Sequence, residues 1–206
     1  MKPPRIVLAT TNAAKLREFA ALLAPWQVEV VAQSSFTRES VPETGLTFVE
    51  NAILKARHAT SVSGLPAVAD DSGIEVDALQ GRPGIYSARY AGPGASDADN
   101  LNRLLVELAG VPQERRSARY RCALAFMRFD TDPAPVVCQA SWEGHILDAP
   151  RGEGGFGYDP IFQVAGRDVT AAELPADEKN RLSHRGKALQ MLLGELEACG
   201  ILPRRG

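Results

Sequence analysis

Cysteine, net positive charge and long apolar runs are all scarce in this 206-residue sequence, and each scarcity excludes a class of protein. The three cysteines are odd in number and have no CxxC spacing, which argues against a disulfide framework or a zinc knuckle. No apolar run approaches the ~18 residues of a membrane helix, and residues 6–9 are too short for a signal-peptide core. We therefore expect a cytoplasmic protein with no membrane partner.

The charges are nearly balanced, because 23 basic and 25 acidic residues leave a formal net charge of -2. Such a chain has no long-range positive field to hold a nucleic-acid backbone, so no nucleic-acid partner is expected. An anionic ligand must instead be bound locally, by a few Lys or Arg side chains and by backbone N–H groups. Length and hydrophobic content fit a single domain of residues 1–206, which we expect to be bilobed.

Hydrophobic periodicity predicts strands that alternate with helices in the first part of the chain. A buried strand at residues 5–9 leads through a polar loop into a helix that ends before Pro25. A second strand covers residues 27–32, and a helix covers residues 47–62 with Gly64 just past its end. The later segments are a strand at 66–69, a helix from about residue 96 or 97 to Gly110, two long strands at 118–130 and 136–146, a glycine-rich loop at 152–160 and a last helix from about Arg185.

The two long strands are joined by residues 131–134, which predicts an antiparallel hairpin and therefore a mixed sheet. The helix that ends at Gly110 has apolar residues on one face, and we interpret it as scaffold. Together the segments predict an α/β fold.

The first candidate for chemistry is the junction between the first strand and its helix, formed by Thr10, Thr11, Asn12, Ala13, Ala14 and Lys15. Free N–H groups at a helix start attract phosphate oxygens, and Lys15 can reach the same anion as a point charge. An ordinary helix cap followed by a solvated lysine is the alternative.

The second candidate is the polar stretch of residues 70–73, which we interpret as a turn at the end of the strand. Open α/β sheets bind their ligands at such strand ends, and we assign the reactive carboxylate to Asp71. A phosphate ligand brings hard oxygens, so Mg²⁺ is the expected ion, with Asp71 and Glu43 as its protein ligands. An Asx-type turn without a ligand is the alternative for residues 70–73, and a solvated side chain is the alternative for Glu43.

Two further candidates lie in the C-terminal part of the chain. In the glycine-rich loop, small residues let a flat ligand approach the backbone, and Phe156 or Tyr158 can stack on a ring. Lys179 and the run of residues 183–185 supply cations near the start of the last helix. The alternative for the glycine-rich loop is a tight turn with aromatic side chains in the core. The alternative for Lys179 is a solvated lysine.

Seven segments in order resemble the inosine/xanthosine triphosphate pyrophosphatase family, which removes deaminated purine nucleotides. They are residues 9–15, 43–48, 50–56, 69–73, 83–90, 156–160 and 183–186. The resemblance implies a long, twisted mixed β-sheet flanked by helices, two lobes with a central active-site cleft, and a homodimer. It also implies hydrolysis of ITP, dITP and XTP to the monophosphate and pyrophosphate, with Mg²⁺ as cofactor.

The resemblance further assigns roles to individual residues. Residues 10–15 and Lys179 would bind the nucleotide, chiefly its phosphates, while Asp71 would accept a proton and ligate magnesium. Lys55 ranks lower as a phosphate contact, and at Thr11 relatives frequently carry glycine. Substrate and base would be contacted by Ser72, Phe156, Gly157, Tyr158, Asp159, His184 and Arg185.

These assignments lead to a mechanism in which water attacks the α-phosphorus with help from Asp71 and pyrophosphate leaves. Arg185 carries only hydrogen-bond donors, so it can pair with a 6-oxo group but not with the amino group of adenine. Two rivals remain open at this point. One is a Maf-like pyrophosphatase for other modified nucleotides, and the other is a nucleotide-binding protein that does not cleave its ligand.

Overall fold

The computed structural model describes residues 4–10 and 13–203, with the backbone alone for residues 13, 14 and 18. The strands in this part of the chain are β1 (Arg5–Leu8), β2 (Glu29–Ala32), β3 (Ala67–Val76), β4 (Ser117–Met127), β5 (Val136–Ile146) and β6 (Phe162–Val164). They form one sheet in the order β2-β1-β3-β4-β5-β6. β1 pairs in parallel with β2 and β3, whereas β6 pairs antiparallel with β5. The sheet is therefore mixed, as predicted.

The helices are α1 (Ala13–Leu23), α2 (Phe48–Ser63), α3 (Asp97–Glu107), α4 (Ala176–Leu182) and α5 (His184–Ala198). None of the helices in the described ranges is both long and apolar enough to cross a membrane. α2 begins with a capping box, in which the Thr47 side chain accepts from the backbone of Glu50 and the Glu50 side chain accepts from the backbone of Thr47. It ends at Gly64, which has a φ of 65°. The predicted start and end of this helix are confirmed.

α4 and α5 are separated by one residue, Ser183. The N–H of Ser183 donates to the carbonyl of Lys179, and its hydroxyl accepts from the N–H of Gly186 at 3.1 Å. Only glycine fits at position 186, because a Cβ there would overlap the Asn180 carbonyl oxygen. The two helices therefore follow each other with almost no connecting loop.

β3 departs from the sequence prediction, because the predicted turn at residues 70–73 lies inside a ten-residue strand. Turn chemistry favours a break at two aspartates followed by serine and glycine. Here both carboxylates are buried and bonded to lysines, so they no longer need solvent, and Ile74 and Val76 extend the strand into apolar surroundings. The predicted turn is wrong.

The predicted hairpin of β4 and β5 agrees with the structure, since the two strands are neighbours joined by residues 128–135, too few for a parallel crossover. The buried carboxylate of Asp132 closes this connection. It accepts from the backbone N–H of Arg128 at 3.1 Å and that of Ala134 at 3.1 Å, and from the Arg128 guanidinium at 2.8 and 2.6 Å.

The chain forms two compact units, and the first falls within Met1–Asp71, Ala123–Gln139 and Ala188–Gly206. A core cluster of this unit is rich in alanine, which lets α2 lie close against the sheet. The buried members of this cluster are Val7, Ala9, Ala52, Ala56, Ala59, Ala67, Ala69, Ala123, Ala125 and Met127.

The second unit comprises Ser72–Cys122 and Ala140–Lys187. Its core contains large aromatic side chains, among them Tyr120, Trp142 and Phe162. The ring centroids of Tyr120 and Phe162 lie 4.7 Å apart, and those of Trp142 and Phe162 lie 5.4 Å apart. The leucines of α3 pack on this cluster, which agrees with the predicted scaffold role of that helix.

Candidate active site

In the first unit, a half-buried lysine connects two carboxylates. Lys55 projects from α2, and its Nζ lies 2.7 Å from Asp71 Oδ1 on β3 and 3.2 Å from Glu43 Oε1. Asn51, one turn earlier on α2, donates to Asp71 Oδ2 at 3.4 Å. The side-chain oxygen Oδ1 of Asn51 accepts from the backbone N–H of Gly45 at 2.8 Å, which fixes the loop that carries Glu43.

A second ion pair occupies the neighbouring position of β3. Lys15 from the first turn of α1 lies 2.7 Å from Asp70 Oδ2, and the Asp70 side chain is 1% exposed. The helix start and the acidic part of the strand therefore do come together. The charge of Asp70 also acts on Lys55, so the two ion pairs lie close enough to influence each other. We call Lys15, Glu43, Lys55, Asp70 and Asp71 the carboxylate–lysine cluster.

Burial and charge act against each other within this cluster. Burial raises the pKa of Asp71 above its usual value, and this effect outweighs the opposing charge of Lys55. Burial lowers the pKa of Lys55, but the charges of Asp70 and Asp71 outweigh it, so the net shift of that pKa is upward. A carboxylate with a raised pKa is suited to accept a proton near neutral pH.

Three of the remaining residues of the predicted phosphate loop are described by the structure. Thr10 follows β1 and is half-buried. Thr11 and Asn12 lie outside the described residues. Ala13 and Ala14 form the first turn of α1, and only their backbone is described.

The oxygen atoms of Glu43 and Asp71 suit a hard divalent cation. Mg²⁺ typically takes one or two carboxylates from the protein and the rest of its ligands from water and substrate phosphates. Lys55 bonds both carboxylates, so they face a common centre of positive charge. Across residues 4–10 and 13–203, no group of three or more His, Cys, Asp or Glu could form a metal cage made of protein ligands alone.

In the second unit, one carboxylate organises the glycine-rich loop. Asp159 Oδ2 accepts from the backbone N–H of Phe156 at 2.8 Å and from the ammonium of Lys179. Asp159 Oδ1 accepts from the hydroxyl of Tyr120 at 3.2 Å. Gly155 has a φ of 75°, and a Cβ there would collide with the Asp159 carboxylate. We call Tyr120, Phe156, Asp159 and Lys179 the Asp159 cluster.

Tyr120 links this cluster to α5. Its ring stacks on that of His184 with a centroid distance of 4.8 Å and an interplanar angle of 7°. Burial raises the pKa of Tyr120 well above its usual value, and the charge of Asp159 adds to that shift. The neutral phenol is therefore fixed as a donor to Asp159.

The two aromatic residues of the loop have different surroundings. Phe156 is 39% exposed, and its ring centroid lies 5.0 Å from Lys179 Nζ and 5.8 Å from Arg185 Cζ. Tyr158 is 4% exposed, belongs to the core, and donates its hydroxyl to the Ser87 carbonyl at 2.8 Å. Of these two rings, Phe156 is the one that a planar ligand can reach.

The other predicted residues of this unit lie nearby. Arg185 at the start of α5 donates from Nη2 to Ser72 Oγ at 3.3 Å. Gly157 has a φ of 62° and donates its N–H to Asp97 Oδ2 at 2.8 Å. The structure thus gathers Ser72, Phe156, Gly157, Asp159, Lys179, His184 and Arg185 in one unit through named contacts.

Sequence reasoning missed three residues that hold these side chains in place. Asn51 contacts Asp71, Tyr120 contacts Asp159, and Asp97 contacts Gly157. Asn51 lies in residues 50–56, one of the segments that resemble the family, so the sequence did contain a signal for it. Nothing in the sequence near Tyr120 or Asp97 pointed to a partner 39 or 60 residues away.

Comparison with known sequences gives matches along almost the whole chain. The Ham1 family profile matches residues 6–195. The dITP/XTP pyrophosphatase of Vibrio cholerae is 58% identical over 193 residues, which cover 94% of this chain and 96% of that protein. The dITP/XTP pyrophosphatase of Escherichia coli O157:H7 is 56% identical over 192 residues, which cover 93% and 98%.

Solved structures agree. The HAM1 protein from Coxiella burnetii superposes with a TM-score of 0.89 at 48% identity, covering 95% of this chain and 99% of that one. The Staphylococcus aureus Ham1 protein gives a TM-score of 0.85 at 40% identity, covering 94% and 98%. The predicted α/β fold and the resemblance on which it was based are confirmed, and this chain belongs to the Ham1 family.

Proposed function

We propose that this protein is a dITP/XTP pyrophosphatase, which hydrolyses dITP, XTP and ITP to the nucleoside monophosphate and pyrophosphate. Family membership and whole-length relatives of that name support the activity. The observation that carries it is the pairing of two adjacent carboxylates on β3 with two lysines from α1 and α2. This arrangement concentrates both the cations that a triphosphate needs and the carboxylates that a hydrolytic reaction needs.

The lysines bind phosphate by exchanging partners. Lys15 and Lys55 are each held by a carboxylate, so both side chains are already oriented before an anion arrives. A triphosphate offers oxygens of higher charge than a carboxylate, and both ammonium groups can turn towards it. The backbone N–H groups of Ala13 and Ala14 at the start of α1 add donors. We also assign Thr10, Thr11 and Asn12, which precede the helix in sequence, to phosphate binding.

Asp71 accepts a proton from the attacking water. Burial raises the pKa of Asp71, which makes it a stronger base than an exposed aspartate, and the Asn51 amide donates to its second oxygen. Asp71 and Glu43 would hold Mg²⁺, which would supply charge neutralisation for the phosphates. Water attacks the α-phosphorus, the P–O bond to the β-phosphate breaks, and the pyrophosphate leaves with the electron pair of that bond.

Base recognition belongs to the second unit. Phe156 offers a partly exposed ring for stacking, and Gly157 leaves room for a planar ligand beside it. Arg185 presents only donors, which suit a 6-oxo purine and oppose a 6-amino purine. Lys179 would contact the nucleotide chiefly at its phosphates. Ser72 is fixed by Arg185, and His184 by its stack on Tyr120, so both side chains are oriented before a ligand binds.

The rival interpretations are not favoured. The profile match and the relatives point to the Ham1 family rather than to a Maf-like enzyme, and those relatives are named as pyrophosphatases rather than as binding proteins. We further propose that the protein is a cytoplasmic homodimer and folds as a single bilobed domain. Multi-angle light scattering of the purified protein tests the dimer, which a monomer mass would rule out.

The decisive assay measures product formation from dITP, XTP, ITP, ATP and GTP with and without Mg²⁺, separating pyrophosphate from orthophosphate. We expect monophosphate and pyrophosphate from dITP, XTP and ITP, with ATP much slower because of its 6-amino group and all activity lost on chelation. GTP keeps the 6-oxo group, so its rate measures the effect of the 2-amino group alone. Release of orthophosphate would overturn the reaction type. Tight nucleotide retention without product would support the non-hydrolytic rival.

A further inference from the structure

The orientation of Phe156 depends on the two glycines that flank it. Gly155 and Gly157 have φ values of 75° and 62°, in the left-handed region. Glycine samples many other backbone conformations at little cost, so a segment with two of them needs external contacts to hold one shape. The direction of the Phe156 ring is therefore set by whatever fixes the backbone on each side.

The two sides are fixed in different ways. On the Gly155 side, the N–H of Phe156 donates to Asp159, a residue of the same loop. On the Gly157 side, the N–H of Gly157 donates to Asp97 Oδ2 at 2.8 Å. Asp97 is the first residue of α3, so this second contact ties the loop to a helix 60 residues away in sequence.

α3 provides a firm attachment point. Its start has its own capping box, in which Asp99 accepts from the N–H of Ser96 at 2.9 Å and from its hydroxyl at 2.6 Å. Leu101 and Leu104 bury one face of the helix in the core of the second unit. The cap does not use Asp97, whose carboxylate is left to accept from the loop.

We infer that Asp97 is a positioning residue for substrate binding, acting through Gly157 to hold Phe156 in the orientation that stacks on the purine. The identity of the substrate in this inference rests on the proposed function. The effect of the contact between Asp97 and Gly157 on the loop does not. α3 thereby has a role beyond scaffold. Loss of the contact should raise the KM for a purine nucleotide and leave the chemical step, which depends on the carboxylate–lysine cluster, nearly unchanged.

The test compares three variants in the full-length protein. Asp97→Ala removes the acceptor, Asp97→Asn keeps an oxygen that can accept from Gly157, and Asp99→Ala weakens the start of α3 without touching the loop contact. Asp97 and Asp99 are both exposed, so all three variants should fold. The readouts are kcat and KM for dITP and, without any substrate, amide hydrogen exchange of peptides covering residues 154–158.

For Asp97→Ala we expect a KM about threefold to tenfold higher, kcat within about twofold of the unmodified protein, and faster exchange in the loop. Asp97→Asn should restore most of the KM, and Asp99→Ala should leave both KM and loop exchange unchanged. The inference is overturned if Asp97→Ala leaves KM and exchange unaltered, or if Asp99→Ala reproduces its effects. Failure of the unmodified protein to hydrolyse dITP would reject the proposed function instead. The hydrogen-exchange result would still show whether the contact with Asp97 holds the loop.

Discussion

The carboxylate–lysine cluster and the Asp159 cluster both contain buried acids and lysines, yet they are held differently. In the first, Asp70 and Asp71 are each paired with a lysine side chain. In the second, Asp159 is bonded by a lysine, a backbone N–H and a phenol. Lysine side chains can turn towards a new anion, whereas a peptide N–H and a buried Tyr120 cannot move without distorting the core.

This difference indicates that the first cluster carries out the reaction and that the second holds the conformation of the loop. The first cluster has groups that an anionic ligand can recruit, and its Asp71 has a raised pKa because of burial. The second cluster fixes a loop in which Phe156 presents a partly exposed aromatic ring. We therefore expect substitutions in the first cluster to lower kcat and substitutions in the second to raise KM or to change base preference.

Asp71→Asn should have the largest effect. The amide keeps the size of the side chain but cannot accept a proton, so we expect kcat to fall by about 10³-fold or more with the fold retained. Steady-state kinetics with dITP, together with circular dichroism of the variant, provide the measurement. Near-normal turnover would exclude Asp71 as the proton acceptor.

Asp159→Asn applies the same chemical change to the other cluster. Loss of the negative charge releases Lys179 and weakens the bond to the Phe156 N–H, so the loop should loosen. We expect KM for dITP to rise about tenfold to a hundredfold while kcat changes much less. A kcat loss as large as that of Asp71→Asn would remove the distinction between the two clusters.

Arg185→Ala should change base preference. Loss of the guanidinium removes the donor that we propose for the 6-oxo group, and it removes a cation from the ring of Phe156. We expect the ratio of kcat/KM for dITP to that for dATP to fall about tenfold, with Arg185→Lys intermediate because it keeps the charge but not the planar fork. An unchanged ratio in both variants would indicate that backbone groups read the base.

Tyr120→Phe should have the smallest effect. The ring and its stack on His184 remain, and Asp159 loses one of its three donors. We expect KM to rise about threefold, and the free energy of unfolding to fall by about 1 kcal/mol in urea denaturation. Unaltered values of both would show that the Asp159 carboxylate is held by Phe156 and Lys179 alone.

Local signals in the sequence predicted the parts of the fold that depend on neighbouring residues. Apolar residues at helical spacing and the terminal Gly64 predicted α2, and the apolar face of α3 was readable from its leucines. The family-like segments identified Asp71, Lys15 and the glycine-rich loop. Each of these rests on residues within a few positions of one another.

Contacts between distant residues explain what could not be predicted. β3 continues through residues 70–73 because Lys15 and Lys55 neutralise its aspartates, and Lys15 lies 55 positions from Asp70. The short, polar α4 has no buried side chain to produce a hydrophobic period. The bond from Gly157 to Asp97 depends on how a loop meets a helix of another part of the chain.

The junction at Ser183 has a consequence for how this region can evolve. Lys179 lies in α4 and Arg185 in α5, and the missing side chain of Gly186 is what lets one helix follow the other directly. The spacing of the two backbone positions that carry these cations therefore depends on a residue that has no side chain of its own. A methyl group added at position 186 would force the helices apart and misplace both charges together.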